Sequence, residues 1–391
     1  MRRTKVMRAV FLVLLLTLCG RLYYIQHLCH DQLTAAAYRQ QMIPVLQENG
    51  KGVIYDRNMI PLTGTDRAYY YLIHKDNLTT AAEQLLTQID AEPAGQKDDD
   101  YLVYRTDHYV HIISGLLQKQ HHAYGFSVDL RYGKEQAAAS LLHDLDEMYA
   151  GLLQKEEPVF YFLGNAAGGL IHGTGVDDGS TTETVASAAL LTTLDLELQR
   201  NMESILEETN MTGCAVISDT RTGQILAMAS RTTDGTDVNL AVEKAYPLGK
   251  CSKIIQMSAT AFDLKMEEAA GLLGLGTPVF DQYPGEDSGS AAEKNMSATA
   301  IRMNQLLTTL ANHGQVVPLT FVMCYAKAES IPCMEIAGDA ASKLNALQEE
   351  LKKRPLTGDG WATGYEDAYA LTVHLDSGNP KDTYQLLADC I

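Results

Sequence analysis

The amino terminus of this chain carries one long apolar run that limits where the rest of the protein can lie. Residues 9–25 are mostly apolar, and the segment before them is basic, with Arg2, Arg3, Lys5 and Arg8. Such a run is about long enough to cross a bilayer as a helix, and positive charge marks its cytoplasmic side. We therefore predict a cell-membrane protein with a single-pass anchor in residues 1–25, a cytoplasmic amino terminus and an extracytoplasmic bulk.

A cleaved signal peptide is the alternative interpretation of this run. A signal peptidase site needs small residues after the apolar core, and that pattern is missing here. The segment Leu16–Cys19 partly fits a lipoprotein site, but Leu18 is bulky where a small residue is needed. Arg21 can extend its charge to the interface and the pair Tyr23-Tyr24 suits a membrane boundary, which favours a retained anchor.

The remaining chain divides into two parts that differ in residue pattern. Residues 26–185 mix helical and strand-like patterns, and residues 190–391 combine helices with alternating strands. Between them, His172–Thr184 is rich in Gly and Thr and poor in core-forming residues, as is typical of a boundary. We predict an α+β protein with one domain in each part.

The second part has the clearer pattern. Apolar residues three or four apart in Leu194–Glu208 predict a helix. The runs Gly213–Ser218 and Gln224–Ala229 flank a turn-forming segment and predict an antiparallel hairpin packed on that helix. Alternation in Tyr369–Asp376 predicts a strand of the same sheet, and Ser297–Asn312 is predicted to be a helix capped by Ser297.

Charge and composition exclude several classes of partner and cofactor. The net charge of −18 repels phosphate backbones, so no nucleic-acid partner is expected. The seven cysteines are scattered without a C-x-x-C pair. The histidines His108, His111, His121 and His122 fall in loop and strand contexts without carboxylate or cysteine partners at ligand spacing. We predict no metal site and no cofactor.

Five segments keep the order and approximate spacing of known motifs. They are Gly52–Asn58 (G-V-I-Y-D-R-N), Thr192–Gln199 (T-T-L-D-L-E-L-Q), Gly213–Ser230 (with D-T-R-T-G and I-L-A-M-A-S), Asn239–Ile254 (with N-L-A-V and Y-P-L-G) and Leu306–Pro318. Together they resemble class B penicillin-binding proteins, the monofunctional peptidoglycan D,D-transpeptidases. The resemblance implies a pedestal, dimerisation-like domain at 26–185 and a truncated transpeptidase-like domain at 190–391, with an antiparallel sheet flanked by helices.

The first catalytic motif of that family is S-x-x-K, in which serine and lysine share one helical face so that the lysine can activate the serine oxygen. The register set by Tyr246-Pro247 reads Lys250-Cys251-Ser252-Lys253, with lysine in the place of serine. No Ser or Thr lies three residues before any lysine of the chain. Cys324 precedes Lys327 at this spacing, but in a strand-like run whose positions i and i+3 point to opposite faces.

The second and third motifs are also incomplete. No S-x-N occurs between Lys253 and Ser297, and Ser377-Gly378-Asn379 is better explained as a turn. The K-T-G motif is present only as Leu356-Thr357-Gly358. Its cation is missing unless Lys352, Lys353 or Arg354 replaces it.

Three functional hypotheses follow from these motifs. The favoured one is a non-catalytic scaffold or regulator of cell-wall synthesis, with degenerate motif positions at Lys250, Lys253, Thr357 and Gly358. Its expected partners are cell-wall synthesis, division or sporulation proteins, with peptidoglycan itself left open. The alternative is an active D,D-transpeptidase that binds penicillin through a displaced nucleophile, Ser252 or Cys251. An unrelated membrane-anchored binding module is the third.

Overall fold

The structure is a computed structural model of the 391-residue chain. It describes residues 2–24, 42–47, 52–97, 101–133, 136–153, 159–163, 189–280, 283–312, 316–323, 346, 348–352 and 354–391. The predicted boundary at His172–Thr184, the alternative pair Cys324 and Lys327, and Lys353 lie outside these residues.

The described residues form helices and strands in alternation along the chain. The helices are α1 (Arg2–Tyr23), α2 (Thr80–Gln88), α3 (His111–His121), α4 (Ala139–Met148), α5 (Ala150–Leu153), α6 (Leu196–Glu208), α7 (Leu240–Glu243), α8 (Lys253–Phe262), α9 (Met266–Leu272), α10 (Ala300–Ala311) and α11 (Pro380–Ala388). The strands of the first half are β1 (Met42–Gln47), β2 (Val53–Tyr55), β3 (Asp66–His74), β4 (Glu92–Lys97), β5 (Tyr101–Thr106), β6 (Tyr124–Leu130) and β7 (Val159–Leu163). Those of the second half are β8 (Ala189–Leu191), β9 (Gly213–Asp219), β10 (Ile225–Arg231), β11 (Tyr246–Pro247), β12 (Ser297–Ala298), β13 (Leu356–Gly358), β14 (Trp361–Glu366) and β15 (Tyr369–Leu375).

The chain folds into two compact units, each assembled from several segments. One contains residues 1–50, 68–128 and 156–185, and the other contains 51–67, 129–155 and 186–391. The predicted division cuts the chain once near residue 190, whereas 51–67 and 129–155 pack with the carboxyl-terminal segment. The predicted domain limits stay a prediction.

The first unit is built on a four-stranded sheet with the order β4-β5-β3-β6. Tyr71 and Ile73 of β3 pack with Leu86 of α2 and Leu117 of α3 in one buried cluster. Two of the histidines, at positions 111 and 121, begin and end helix α3, so their predicted loop and strand contexts are wrong. In His111–His121 the apolar residues around Leu117 lie on one buried helical face, and burial of this face favours a helix over a strand.

Helix α1 covers the predicted anchor segment. Among the residues that the structure describes, no helix is both long enough and apolar enough to qualify as a membrane span.

The second unit is built on a five-stranded antiparallel sheet with the order β10-β9-β15-β14-β13. Alternate residues of β9 enter different cores because successive strand side chains point to opposite faces. Cys214 and Val216 join a cluster with helix α10, whereas Ala215 and Ile217 join one with α6 and α11. The predicted hairpin, its packing on the α6 helix and the place of the closing strand in the same sheet are confirmed.

The hairpin turn has the chemistry that its sequence predicts. The carboxylate of Asp219 accepts hydrogen bonds from the backbone N–H of Arg221 at 2.7 Å and of Thr222 at 3.1 Å. Gly223 follows with φ of 71°, in the left-handed region that favours glycine. Asp195 likewise begins helix α6 by accepting from the N–H groups of Glu197 and Leu198.

Two helix limits differ from the sequence prediction. Thr299, and not Ser297, caps α10, since its hydroxyl accepts from the Arg302 N–H at 3.2 Å. The backbone of Ser297 is already paired with Ser290 and Pro247, so this residue begins strand β12. Helix α11 was not predicted, and Asn379 caps it by accepting from the Lys381 N–H.

Candidate active site

The segment predicted to carry the first motif, Lys250–Lys253, forms a tight turn at the start of helix α8. Residues Gly249–Ser252 make one turn of 3-10 helix, and Lys253 is the first residue of α8. The turn is held from behind because the Leu248 N–H donates to the Met296 carbonyl at 3.0 Å. Lys250 is exposed on this turn, and Cys251 is fully buried beneath it.

The segment predicted to carry the third motif, Leu356-Thr357-Gly358, lies directly against this turn. Strand β13 pairs with β14 through a two-residue connection, Asp359 and Gly360, whose φ values of 53° and 85° fit a type I′ hairpin. The Asp359 carboxylate accepts from the Lys250 backbone N–H at 2.8 Å. The structure therefore brings together the segments predicted to carry the first and third motifs, which are more than a hundred residues apart in the chain.

The side chain of Lys250 packs on Gly358 at the end of β13. A Cβ atom placed on Gly358 would lie 2.7 Å from Cδ and 2.9 Å from Cβ of Lys250. A Cβ atom on Gly249 would lie 2.1 Å from the Asp359 carboxylate. Such distances are shorter than real Cβ contacts, so the two turns interlock only because both positions are glycine.

The two alternative nucleophiles lack the surroundings that would activate them. Burial, with a smaller effect of Asp359, raises the pKa of the Cys251 thiol to about 12, which keeps it protonated at neutral pH. Ser252 donates its hydroxyl to the Gly249 carbonyl at 2.6 Å. The ammonium of Lys253 is 2.9 Å from a Glu350 carboxylate oxygen.

The region in which the second motif is expected contains a glycine-rich segment that is hydrogen-bonded to Arg302. Arg302 of α10 is buried and donates to Gln305 at 2.6 Å and to the Thr277 carbonyl at 2.5 Å, so it fastens the glycine-rich segment after α9. Burial lowers the pKa of this guanidinium to about 10. The Ser377-Gly378-Asn379 sequence precedes α11, and its asparagine caps that helix.

Asn239, from the N-L-A-V segment, belongs to a polar network and not to the turn with Lys250. Its amide donates to the Tyr283 hydroxyl at 2.6 Å, and that hydroxyl donates to the Asp144 carboxylate. Burial raises the pKa of Asp144 to about 6, against the opposing effects of its hydrogen bonds. The network connects α4, α7 and the loop before β12.

Behind the Asp359–Gly360 connection lies a buried aromatic cluster. The ring of His374 stacks on Tyr246 with centroids 3.6 Å apart and meets Trp361 edge-on at 4.6 Å. Burial lowers the pKa of His374 to about 4, so this ring is neutral at physiological pH. The indole of Trp361 donates to the Pro247 carbonyl at 2.8 Å and ties β14 to the turn of Lys250.

Of the candidate replacement cations, Lys352 is directed to other partners than Gly358. The Lys352 ammonium pairs with Glu349 at 3.0 Å, and Lys352 lines a cavity of about 380 Å³ with Arg221 and Asp367. Asp367 follows the end of β14 that is farther from Gly358. Within the described ranges, no group of three or more His, Cys, Asp or Glu residues is placed to hold a metal ion.

Sequence analysis identified Lys250, Thr357 and Gly358 as motif positions, and the structure joins the two segments. Sequence analysis missed Asp359, which connects the two segments, and His374, which lies behind them. The Asp-Gly dipeptide at 359–360 was an available signal for a type I′ turn, but the contact with Lys250 has no local signature. A histidine within an alternating strand, such as His374, has no local signature of such contacts either.

The geometry of the sheet, its flanking helices and the two joined motif segments can be compared with known structures. No protein-family model matches the sequence, and the curated proteins offer no match either. A chain of a peptidoglycan synthase complex is 16% identical with a TM-score of 0.58, covering 99% of this chain and 97% of that one. This chain has the fold of penicillin-binding proteins.

Two further structures with this penicillin-binding-protein fold are similar over most of their length. Penicillin-binding protein 2 from Helicobacter pylori, in complex with MreC, is 13% identical with a TM-score of 0.56, covering 89% of this chain and 97% of that one. Penicillin-binding protein 2X from Streptococcus thermophilus is 14% identical with a TM-score of 0.57, covering 89% of this chain and 78% of that one. At these identities the likeness shows the fold alone.

Proposed function

We propose that this chain is a non-catalytic scaffold or regulator of peptidoglycan synthesis built on the penicillin-binding-protein fold. The observation that carries the proposal is the placement of Lys250. It occupies the motif position of the nucleophilic serine and lies against β13, the strand of the third motif. A covalent acyl intermediate needs an activated hydroxyl or thiol at that position.

The neighbouring groups give no substitute for that hydroxyl. Cys251 is buried with a raised pKa, and Ser252 is bonded to a carbonyl with Ile255, not lysine, three residues later. The side chains of Lys250 and Lys253 can bind anions, but an amine in the serine position cannot form the ester on which acyl transfer depends. We infer that the surviving parts of the motif segments serve the fold.

The partners proposed are other proteins of cell-wall synthesis, division or sporulation. Two of the similar structures are assemblies, one of penicillin-binding protein 2 with MreC and one a peptidoglycan synthase complex. A protein that keeps this fold without its chemistry can still present binding surfaces. The net charge of −18 disfavours nucleic acid, and peptidoglycan itself remains a candidate ligand.

We also propose that the amino-terminal segment anchors the protein in the cell membrane. The basic residues before the apolar run support this placement through the positive-inside rule. Most large apolar side chains described in α1, including Phe11, Leu14 and Leu18, are more than half exposed to solvent. Exposed apolar surface of this extent calls for a covering by lipid or protein.

The test of the proposed function is intact-protein mass spectrometry after incubation with benzylpenicillin. We expect no covalent adduct on the wild-type protein, with an active class B penicillin-binding protein as the positive control. A mass increase of one penicillin, mapped to Ser252 or Cys251, would reject the scaffold and establish the displaced-nucleophile transpeptidase. We expect Lys250→Ser alone to remain unlabelled, because the second motif and the cation of the third are also missing.

A further inference from the structure

The turn that follows strand β2 presents two large apolar side chains to solvent. Met59 is 63% exposed and Ile60 is 45% exposed, and the next residue, Pro61, is exposed as well. Met59 has φ of 63°, a left-handed conformation that disfavours any residue with a Cβ atom. Glycine takes this conformation at lower cost, so an exposed methionine here indicates a role outside the packing of the fold.

The turn is held in one shape by its own hydrogen bonds. The buried Asp56 carboxylate accepts from the backbone N–H groups of Asn58 at 2.8 Å and of Ile60 at 2.7 Å. The Arg57 N–H donates to the Leu194 carbonyl at 2.9 Å, which fixes the turn to the segment before α6. Binding to this turn therefore orders little additional backbone, which lowers its entropic cost.

A cavity of about 410 Å³ lies beside the turn in the same compact unit. Pro61 and Leu62 line the cavity from the turn, and Leu196 lines it from the start of α6. A cavity of this size admits an apolar side chain from another molecule. Residues 59–61, Leu196 and the cavity together form what we call the turn surface.

Two arginines add positive charge to the turn surface. Arg57 lies in the turn and Arg200 lines the cavity. Among the residues that the structure describes, neither guanidinium has a hydrogen-bond or ion-pair partner. Glu203 interacts with Arg200 electrostatically. Its carboxylate accepts instead from the Ala138 N–H at 2.6 Å and from the Gln199 amide at 2.8 Å.

The charges select the kind of molecule that fits this surface. Guanidinium groups bind carboxylates through paired hydrogen bonds, whereas the net charge of −18 repels extended polyanions. Asp66 also lines the cavity, so the anion-binding groups are the two arginines and not the cavity as a whole. Exposed apolar side chains beyond the cavity favour a macromolecule over a small ligand.

We propose that the turn surface docks a segment of a partner protein in which acidic residues flank an apolar side chain. The apolar side chain enters the cavity beside Leu196, and the carboxylates pair with Arg57 and Arg200. Met59 and Ile60 cover the contact and exclude water from the charge pairs, which strengthens them. This inference rests on the proposed function, since it gives the scaffold a surface for its partner.

Site-specific photo-crosslinking in cells that produce the full chain tests the proposal. Ile60→p-benzoylphenylalanine places the photoreactive group in the turn surface and keeps the backbone N–H that bonds to Asp56. Leu152→p-benzoylphenylalanine is the control, since Leu152 is a 68% exposed residue of α5 in the same unit. We expect position 60, and not position 152, to crosslink to a segment of another protein that has Asp or Glu close to the crosslinked residue.

Substitutions separate a docked partner from a chance neighbour. Combining Arg57→Gln with Arg200→Gln should lower the yield of this crosslink at least about tenfold, because charge-assisted hydrogen bonds are lost. Lys381→Gln, which removes an exposed charge from α11, should leave the yield unchanged. Met59→Gly should lower the yield while the chain unfolds at about the same denaturant concentration as wild type, since glycine favours this backbone conformation.

Thermal unfolding checks that each variant is folded, and Met59→p-benzoylphenylalanine serves if the variant at position 60 is not. The proposal is overturned by a crosslink to a second copy of this chain, by a partner segment without acidic residues, by a yield independent of both arginines, or by the absence of any protein product. A penicillin adduct on the wild-type protein would reject the non-catalytic function and leave the crosslink as it is. A failed crosslink with no adduct would reject only the docking surface.

Discussion

At the scale of single residues, His374 makes the stability of the second unit depend on pH. Its side chain is 6% exposed, and the charged groups that face it are Asp376, with an oxygen 3.9 Å from Nδ1, and the more distant Lys244. Its pKa is lowered from 6.5 to about 4, chiefly by burial. Between these two pH values the unfolded chain binds a proton at His374 that the folded chain does not. The contribution of His374 to stability is therefore fully present above pH 6.5 and is lost as the pH falls towards 4.

The expected size of this effect is about 3 kcal/mol for a shift of this kind. Asp144 acts in the opposite direction, since its pKa is raised from 3.8 to about 6 and its contribution falls as pH rises between them. The comparison of wild type with His374→Phe isolates the histidine, because phenylalanine keeps a ring in the stack with Tyr246. Urea unfolding between pH 4 and 7 should show a smaller loss of stability on acidification in the variant.

The exposed residue His108 provides the control for this measurement. His108→Phe should leave the pH dependence of unfolding as it is in wild type. If His374→Phe keeps the wild-type dependence as well, the buried ring is not its source.

At the scale of elements, the connection between β13 and β14 depends on a glycine. Gly360 has φ of 85°, and a Cβ atom there would lie 2.6 Å from the Leu375 carbonyl oxygen. Gly235 has a similar φ of 75° with no atom within 4 Å of its Cβ position. Gly235→Ala should therefore cost about 1 kcal/mol through the backbone alone, whereas Gly360→Ala should cost about 1–3 kcal/mol more.

Chemical denaturation of both variants measures this difference directly. Equal losses of unfolding free energy would mean that the contact with Leu375 is absent, and that only the left-handed conformation matters. A larger loss in Gly360→Ala would show that β13, the last strand of the sheet, is held in place by this close approach to β15.

At the scale of the whole molecule, the proposed anchor predicts how the protein partitions in cells. We expect the full chain to stay in the membrane fraction after alkaline carbonate extraction, because an inserted apolar helix is not removed by high pH. Protease added to intact spheroplasts should digest the residues after the anchor. A variant that lacks residues 2–24 should appear in the soluble fraction.

Release of the full chain by carbonate would contradict the anchor, and protection from protease would contradict the extracytoplasmic placement. A mature protein that begins near residue 20 would instead establish a cleaved signal peptide. The soluble variant is also the control for fold, since its thermal unfolding should match that of the detergent-solubilised full chain.

Local pattern was sufficient to predict the hairpin, the closing strand and helix α6 of the second unit, but not helix α11. The alternation in Gly213–Ser218 and Gln224–Ala229, with the turn between them, predicted the hairpin because strand faces and turn chemistry are set by neighbouring residues. The resemblance, and not local pattern, identified Lys250, Thr357 and Gly358 as motif positions. Local pattern failed at Ser297, where pairing with distant backbone decided the role of the residue.

The sequence by itself determined which side chains lie at the proposed motif positions, among them Lys250 where the resemblance predicts a serine. Only the tertiary structure decided which residues Lys250 contacts. The bond from Lys250 to Asp359 spans 109 positions in the chain, and the order β10-β9-β15-β14-β13 brings these segments together. Periodicity predicts the face of an element on which a residue lies. It does not predict which residues that face contacts, because those contacts depend on packing between distant segments.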